Sequence, residues 1–122
     1  MFAFLRRPKL TAHLVAPRAV SDEFARRMDL GGRLVIRNAG SDADLTFTEM
    51  MVITGFRRIP LAVPPEWGAV RITSGRSGEL ELNRSLTLDA PLRSPAGELY
   101  VVALDQRRRK WEWRLPFTFE QR

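Results

Sequence analysis

Catalysis and metal binding need side chains that can hold a metal, move a proton or attack carbon, and this chain has few of them. Its one histidine, His13, lies in the alternating stretch LTAHLV, in phase with Thr11 and Val15. Zinc takes four nitrogen, sulfur or oxygen donors, and with one imidazole and no cysteine a zinc site has little to build from. Serine, histidine and aspartate all occur, but nothing of Gly-x-Ser-x-Gly form does, so no triad can be assigned by spacing. Asp42 and Asp44, and Glu79 and Glu81, are same-parity carboxylate pairs. Such pairs can bind calcium or share acid–base work. Flanked here by turn residues and arginines, they read as solubilising surface. Gly75-Arg76-Ser77-Gly78 has the GXXG form that clamps phosphates between helices in KH domains, but strands flank it and a turn is the reading. Asn83-Arg84-Ser85 fits a glycosylation sequon, idle without secretion. The expectation is a non-enzymatic protein without catalytic residues, metal or cofactor.

The 122 residues form one domain, 1–122, long enough to bury roughly two thirds of the unfolded surface. The net charge of +6 comes from 20 basic and 14 acidic residues, and only Lys9 and Lys110 of the basic ones are lysines. The arginines are scattered in pairs, so the field favours weak contact with any polyanion without specifying one. No apolar run approaches the ~20 residues of a membrane helix, and the charges of MFAFLRR follow its short apolar part. A cytoplasmic protein with no membrane span is expected, with membrane association of the N-terminal stretch left open.

Apolar residues recur with a spacing of two through most of the chain, the signal of half-buried strands. Leu10, Ala12 and Leu14 alternate in a first strand that Pro17 closes. Ser21–Met28 reads as a two-turn helix: Ser21 caps it, Asp22 and Glu23 sit at its positive end, Arg26 and Arg27 at its negative end, and Phe24 and Met28 share a face. Gly31 would stop it in the left-handed conformation. RLVIRN is a strand with Leu34 and Ile36 inward, and Asn38–Asp42 turns the chain. The strand Leu45–Thr54 places Leu45, Phe47, Met51 and Ile53 on one parity. RIPLAV is confined to an edge by Pro60. AVRIT, ELELNRSLTL and a closing hairpin of ELYVVAL with KWEWRLPFTF follow. The fold expected is an antiparallel β-sandwich of about seven to eight strands with one short helix near residues 21–29.

GRLVIRNAGSDADLTFTEMMV resembles the second strand, turn and third strand of bacterial immunoglobulin-like modules, and ELYVVALDQRRRKWEWRLPF is similar to their closing hairpin. The likeness spans residues 9–119 in order of elements and departs in lacking a glycine in the closing turn. Tyr100 is similar to the tyrosine-corner residue of such modules. The resemblance implies an immunoglobulin-like fold, and a fold of that kind serves too many roles to imply a function.

Two candidate surfaces follow. In KWEWRLPFTF, Trp111, Trp113, Leu115, Phe117 and Phe119 share one parity and the charges take the other, so the tryptophans are expected in the core. That leaves Asp105–Arg109 as a cationic loop, and Arg107, Arg108, Arg109 and Lys110 as the contact of a less favoured, nucleic-acid-binding reading. Trp67 in PPEWG is the aromatic most exposed by context, expected to fold over the sandwich edge. The favoured reading starts from two strands that are apolar on both faces. Met50 and Val52, with Tyr100, Val102 and Leu104, are expected to form a contiguous outer patch. Either the helix or the MFAFL segment covers that patch, or a protein partner does, whether another protein or a second copy in a homodimer. The expected function is a protein–protein interaction or structural module acting through this sheet face.

Overall fold

The computed structural model describes residues 7–22, 26–88 and 96–121, and these are all-β: β1 Leu10–Asp22, β2 Arg27–Asn38, β3 Ala43–Thr54, β4 Arg57–Leu61, β5 Val70–Ile72, β6 Ser77–Thr87, β7 Ala96–Leu104 and β8 Lys110–Gln121. A 3₁₀ turn, Pro65–Trp67, lies between β4 and β5. The strands form one sheet in the order β4-β3-β7-β8-β1-β2-β6, with β5 paired to the start of β3. The sheet curls on itself as a half-barrel. One apolar cluster fills the inside, drawing Leu34 and Ile36 from β2, Leu80 and Leu82 from β6, Leu99 and Val101 from β7, and Leu115 and Phe117 from β8.

The pairing is antiparallel except between β1 and β8, which run parallel through Ala19↔Phe119 and Val20↔Glu120. That mixed sheet corrects the all-antiparallel expectation, and Pro17 is the reason. Pro17 does not close the first strand. It lies in an irregularity between Val15 and Arg18 where Ala16 takes a positive φ of 49°, so the strand kinks, continues to Asp22 and gains β8 as a second neighbour. Across the kink, Gly32 adopts φ 117°, and a Cβ there would lie 2.8 Å from the Ala16 carbonyl oxygen. Glycine is what lets the two backbones approach.

The helix expected near residues 21–29 is absent. Ser21 and Asp22 end β1, Arg27 and Met28 begin β2, and the pairs Ser21↔Met28 and Asp22↔Arg27 close a hairpin; Phe24 lies outside the described residues. Met28 and Leu30 share the parity of Leu34 and Ile36, and all four are buried. Continuing that inward row hides more apolar surface than an isolated two-turn helix could, because so short a helix is marginal without tertiary support. Gly31 sits mid-strand rather than at a helix stop.

A second local event changes a face. The β3–β7 register shifts between Phe47 and Glu49, so Thr48 is an extra residue, a β-bulge. Before it Leu45 and Phe47 point inward; after it Met50, Val52 and Thr54 do. Met51 and Ile53, expected inside with Leu45, are half-buried on the other face. Pro60 holds β4 at the sheet edge as expected.

Asn38 knots one end of the sheet. Fully buried, it donates from Nδ2 to the carbonyls of Ser41 (2.6 Å) and Ile72 (3.0 Å), and its Oδ1 accepts from the amides of Gly40 (2.9 Å) and Lys9 (3.3 Å). Three segments far apart in sequence, around residues 9, 40 and 72, thus meet on one amide side chain, with each of its polar atoms satisfied.

Candidate functional site

The bulge decides which side chains share the outer face of β3, β7 and β8. Reading across the register from β4, Arg58, Ile53, Glu98 and Pro116 form one row, and Pro60, Met51, Tyr100 and Arg114 the next. Then come Glu49, Val102 and Glu112, and finally Thr46, Leu104 and Lys110. Apolar groups run down the middle, Met51, Ile53, Tyr100, Val102 and Leu104, with charged chains on both sides. Val102 is only 3% exposed although it faces outward.

The charges on this face are organised. Lys110 Nζ lies 2.7 Å from Glu112 Oε1, and Tyr100 donates its hydroxyl proton to the same carboxylate. Lys110 chiefly, then Tyr100, hold the Glu112 carboxyl below its ordinary range, and that hydrogen bond raises Lys110 in turn. Desolvation first, then Glu112, raises the Tyr100 phenol. The Arg114 guanidinium carbon stands 5.9 Å from the centre of the Tyr100 ring, and its Nη1 lies 3.9 Å from Glu98 Oε2, too far for a hydrogen bond. That Glu98 oxygen is buried with no hydrogen-bond partner. Tyr100 therefore works on the outer face, bonded to a side chain, and not as a corner residue tied to backbone.

Of the five residues expected in the outer patch, the structure brings Tyr100, Val102 and Leu104 together there and removes Met50 and Val52, which are 1% and 0% exposed in the core. The correction is the Thr48 bulge: one inserted residue reverses parity. Met51 and Ile53 take their places. The sign of this in sequence is that both parities are apolar from Met50 to Ile53, which follows the clean alternation of Ala43, Leu45 and Phe47. Of the two internal covers considered, the helix does not form and Met28 is in the core, while Met1–Leu5 and Phe24 lie outside the described residues.

The cationic loop is built around Asp105, which is 6% exposed. Its Oδ1 accepts from the amides of Arg107 (2.8 Å) and Arg109 (2.9 Å), and its Oδ2 from the Trp111 indole (3.1 Å). Burial opposes ionisation, but these donors, the Arg109 amide foremost, bring the Asp105 carboxyl below its ordinary range. Arg108 takes φ 61°, the conformation a glycine usually supplies in such a turn. Gln106 ties the loop to β3, accepting from the Asp44 amide and donating to the Asp42 carbonyl. Asp42 and Asp44 both pair with Arg71, at 3.1 and 3.0 Å. Arg107 and Arg108 point into solvent, Arg109 is half-buried and Lys110 belongs to the Glu112 pair.

The tryptophans divide differently from expectation. Leu115, Phe117 and Phe119 are buried, but Trp111 and Trp113 are half-exposed, stacked at 6.3 Å against the rim of the core. Trp67, expected at the surface, is fully buried, edge-on to Phe47 at 5.4 Å, with no partner for its indole N–H. His13 is exposed on β1, and among the described residues no three metal-ligating side chains cluster. Nor is any helix among them long and apolar enough to cross a membrane.

Sequence reasoning missed one surface entirely. Phe56, at the β3–β4 turn behind Gly55 (φ 57°), is the one fully exposed large hydrophobic side chain among the described residues. Beside it lies an open groove of about 560 Å³ between the ends of β3, β7 and β8, walled by Ile53, Gly97, Glu98, Pro116 and Phe117, with Pro17 of β1. A lone phenylalanine after a glycine carries no periodic signal, so only the placement of the turn reveals it.

No protein-family model matches the chain, and no curated protein does. Among solved structures, that of a Bordetella pertussis protein provisionally named ApaA is similar over 93% of this chain and 94% of its own, with a TM-score of 0.58 at 18% identity. The X-ray structure of a structural genomics target, SoR45, is similar over 93% of this chain and 84% of its own, with a TM-score of 0.55 at 12% identity. At such identities the likeness concerns the fold alone.

Proposed function

We propose that the chain is a non-enzymatic protein-interaction module of immunoglobulin-like architecture, and that it binds through the outer face of β3, β7 and β8. The pairing of β1 with β2 and β2 with β6, and of β3 with β7 and β7 with β8, supports the sandwich reading, with the kinked β1 joining the two halves. The observation that carries the functional reading is the apolar row Met51, Ile53, Tyr100 and Leu104, contiguous across two strands and edged by Glu49, Glu98, Lys110, Glu112 and Arg114. An apolar centre with a polar, ion-paired rim is the usual anatomy of a protein interface. Nucleic-acid binding is the weaker reading: it rests on Arg107 and Arg108, whereas tight phosphate-driven binding draws on roughly six to ten phosphate contacts.

A photo-crosslinking side chain at Met51 tests this in cells. A discrete protein adduct is expected from Met51, none from a control position at Glu79 on β6, and the adduct should disappear in a Tyr100→Lys background that remains folded. In cell lysate the adduct should still form when irradiated in about 0.5 M salt, which phosphate-driven contacts do not withstand. Equal labelling from Glu79, or nucleic acid as the adduct, would overturn the proposal.

A further inference from the structure

The exposed ring of Phe56 and the open groove beside it lie on the same patch, and that adjacency constrains what can dock. A foreign partner that fills the groove leaves Phe56 in water unless it also brings a cavity of its own. A second copy related by a two-fold axis brings both, because an isologous contact pairs each feature with its complement twice. We propose that a second copy of this chain docks here, the Phe56 ring of each copy entering the groove of the other. This rests on the protein-interaction reading above and names the partner.

The groove suits an aromatic side chain. At about 560 Å³ it is within the range of ligand-sized pockets. Beneath it Gly97 is on the inward parity of β7, where a Cβ would lie 3.1 Å from the Ile53 carbonyl oxygen and 3.2 and 3.3 Å from the Phe119 and Phe117 rings, so the glycine lets those core rings pack close under the strand. No atom lies within 4 Å of the Cβ position of Gly55, so the turn that carries the ring stands clear of its own protein.

Charge complementarity points the same way. One groove wall is Glu98, whose buried Oε2 has no hydrogen-bond partner and whose closest cation is Arg114 at 3.9 Å. Two residues after the knob stands Arg58, which makes no ion pair among the described residues. Within one copy Ile53 separates Arg58 from Glu98 in the register, two strand spacings of ~4.8 Å, so they do not meet. Across the two-fold, Arg58 of one copy faces Glu98 of the other. The contact is continuous with the outer face, since Ile53 and Glu98 belong to both.

Size sets the strength. Two phenylalanines hide on the order of 150–250 Å² each, and with the groove walls the contact stays near the low end of specific interfaces, about 1,200 Å². A dimer with a dissociation constant in the micromolar range or weaker is expected, visible only in concentrated protein.

Sedimentation velocity on the purified full chain, from about 10 μM to about 1 mM, tests this. The wild type should pass from monomer to dimer. Phe56→Ala should raise the dissociation constant about 100-fold, tenfold for each ring, without shifting thermal unfolding because the ring touches nothing in its own chain. Arg58→Glu and Glu98→Arg should each weaken the dimer, and the double variant should regain it. A wild type that stays monomeric at the highest concentration, a dimer indifferent to Phe56→Ala, or a charge swap that fails to restore association each overturns the inference. Failure here is separable from failure of the wider reading: a foreign-protein adduct at Met51 with a monomeric pure protein sinks only the self-docking.

Discussion

Replacing Asp105 with alanine removes the acceptor for three donors at once: the Arg107 and Arg109 amides and the Trp111 indole. Hydrogen bonds to a charged group contribute ~1.5–3 kcal/mol each. The two amides sit at the rim, where water recovers most of the loss, so each is worth ~0.5–1 kcal/mol here, and the half-buried indole ~1–2 kcal/mol. The sum is ~2–4 kcal/mol. With an unfolding entropy of ~2.1 cal/mol/K per residue, the 122-residue chain loses ~8–16 °C in Tm. Asp105→Asn keeps the acceptor for the amides but sets an NH₂ against the indole N–H, so it should fall between, at ~1–2 kcal/mol. The pH dependence has a definite sign. The carboxyl titrates lower in the fold than its ordinary unfolded value of ~3.9. Its contribution is fully present above that value and is lost as pH falls through the lower, folded one. The gap between wild type and Asp105→Ala, measured by urea unfolding, should therefore be constant near neutrality and shrink below about pH 4. A difference under ~0.5 kcal/mol at neutral pH, or a gap unchanged at about pH 2.5, would refute the view that this carboxylate builds the loop.

Asn38→Ala should cost ~2–4 kcal/mol in urea unfolding, because the buried Ile72 carbonyl, the part-buried Ser41 carbonyl and two amides lose their partner together. Gly40→Ala should cost ~2 kcal/mol or more on the same measurement, since its Cβ would lie 2.0 Å from the Arg7 carbonyl oxygen, which accepts from Ser41. Trp67→Phe should leave a protein whose tryptophan emission is fully accessible to acrylamide, because the fully buried indole is the one shielded fluorophore and Trp111 and Trp113 are half-exposed. Its stability cost should stay under ~2 kcal/mol, as the lost packing is offset by removing an indole N–H buried without a partner.

Local pattern was enough for the all-β class, the edge placement of β4, the β7–β8 hairpin and the inward row Leu115, Phe117 and Phe119. Each of these is written locally: a spacing of two, a proline that cannot donate, an aspartate that can gather the amides of the loop after it. The pattern does not say which of two apolar parities faces in once both are apolar, as at Met50–Ile53. That is settled by the register with β7, where a single extra residue at Thr48 reverses every later side chain. Nor does local spacing separate a short helix from a strand end at Ser21–Met28; pairing with the neighbouring strand and burial of Met28 decide it. Pro17 reads as a stop and acts as a kink, because Gly32 across the pair leaves room for the bent backbone. Trp67 reads as surface from its polar, proline-rich neighbours and is buried against Phe47 from β3, some twenty residues away in the chain. Tertiary structure decided these points because each depends on a partner distant in sequence, whose position no local pattern records.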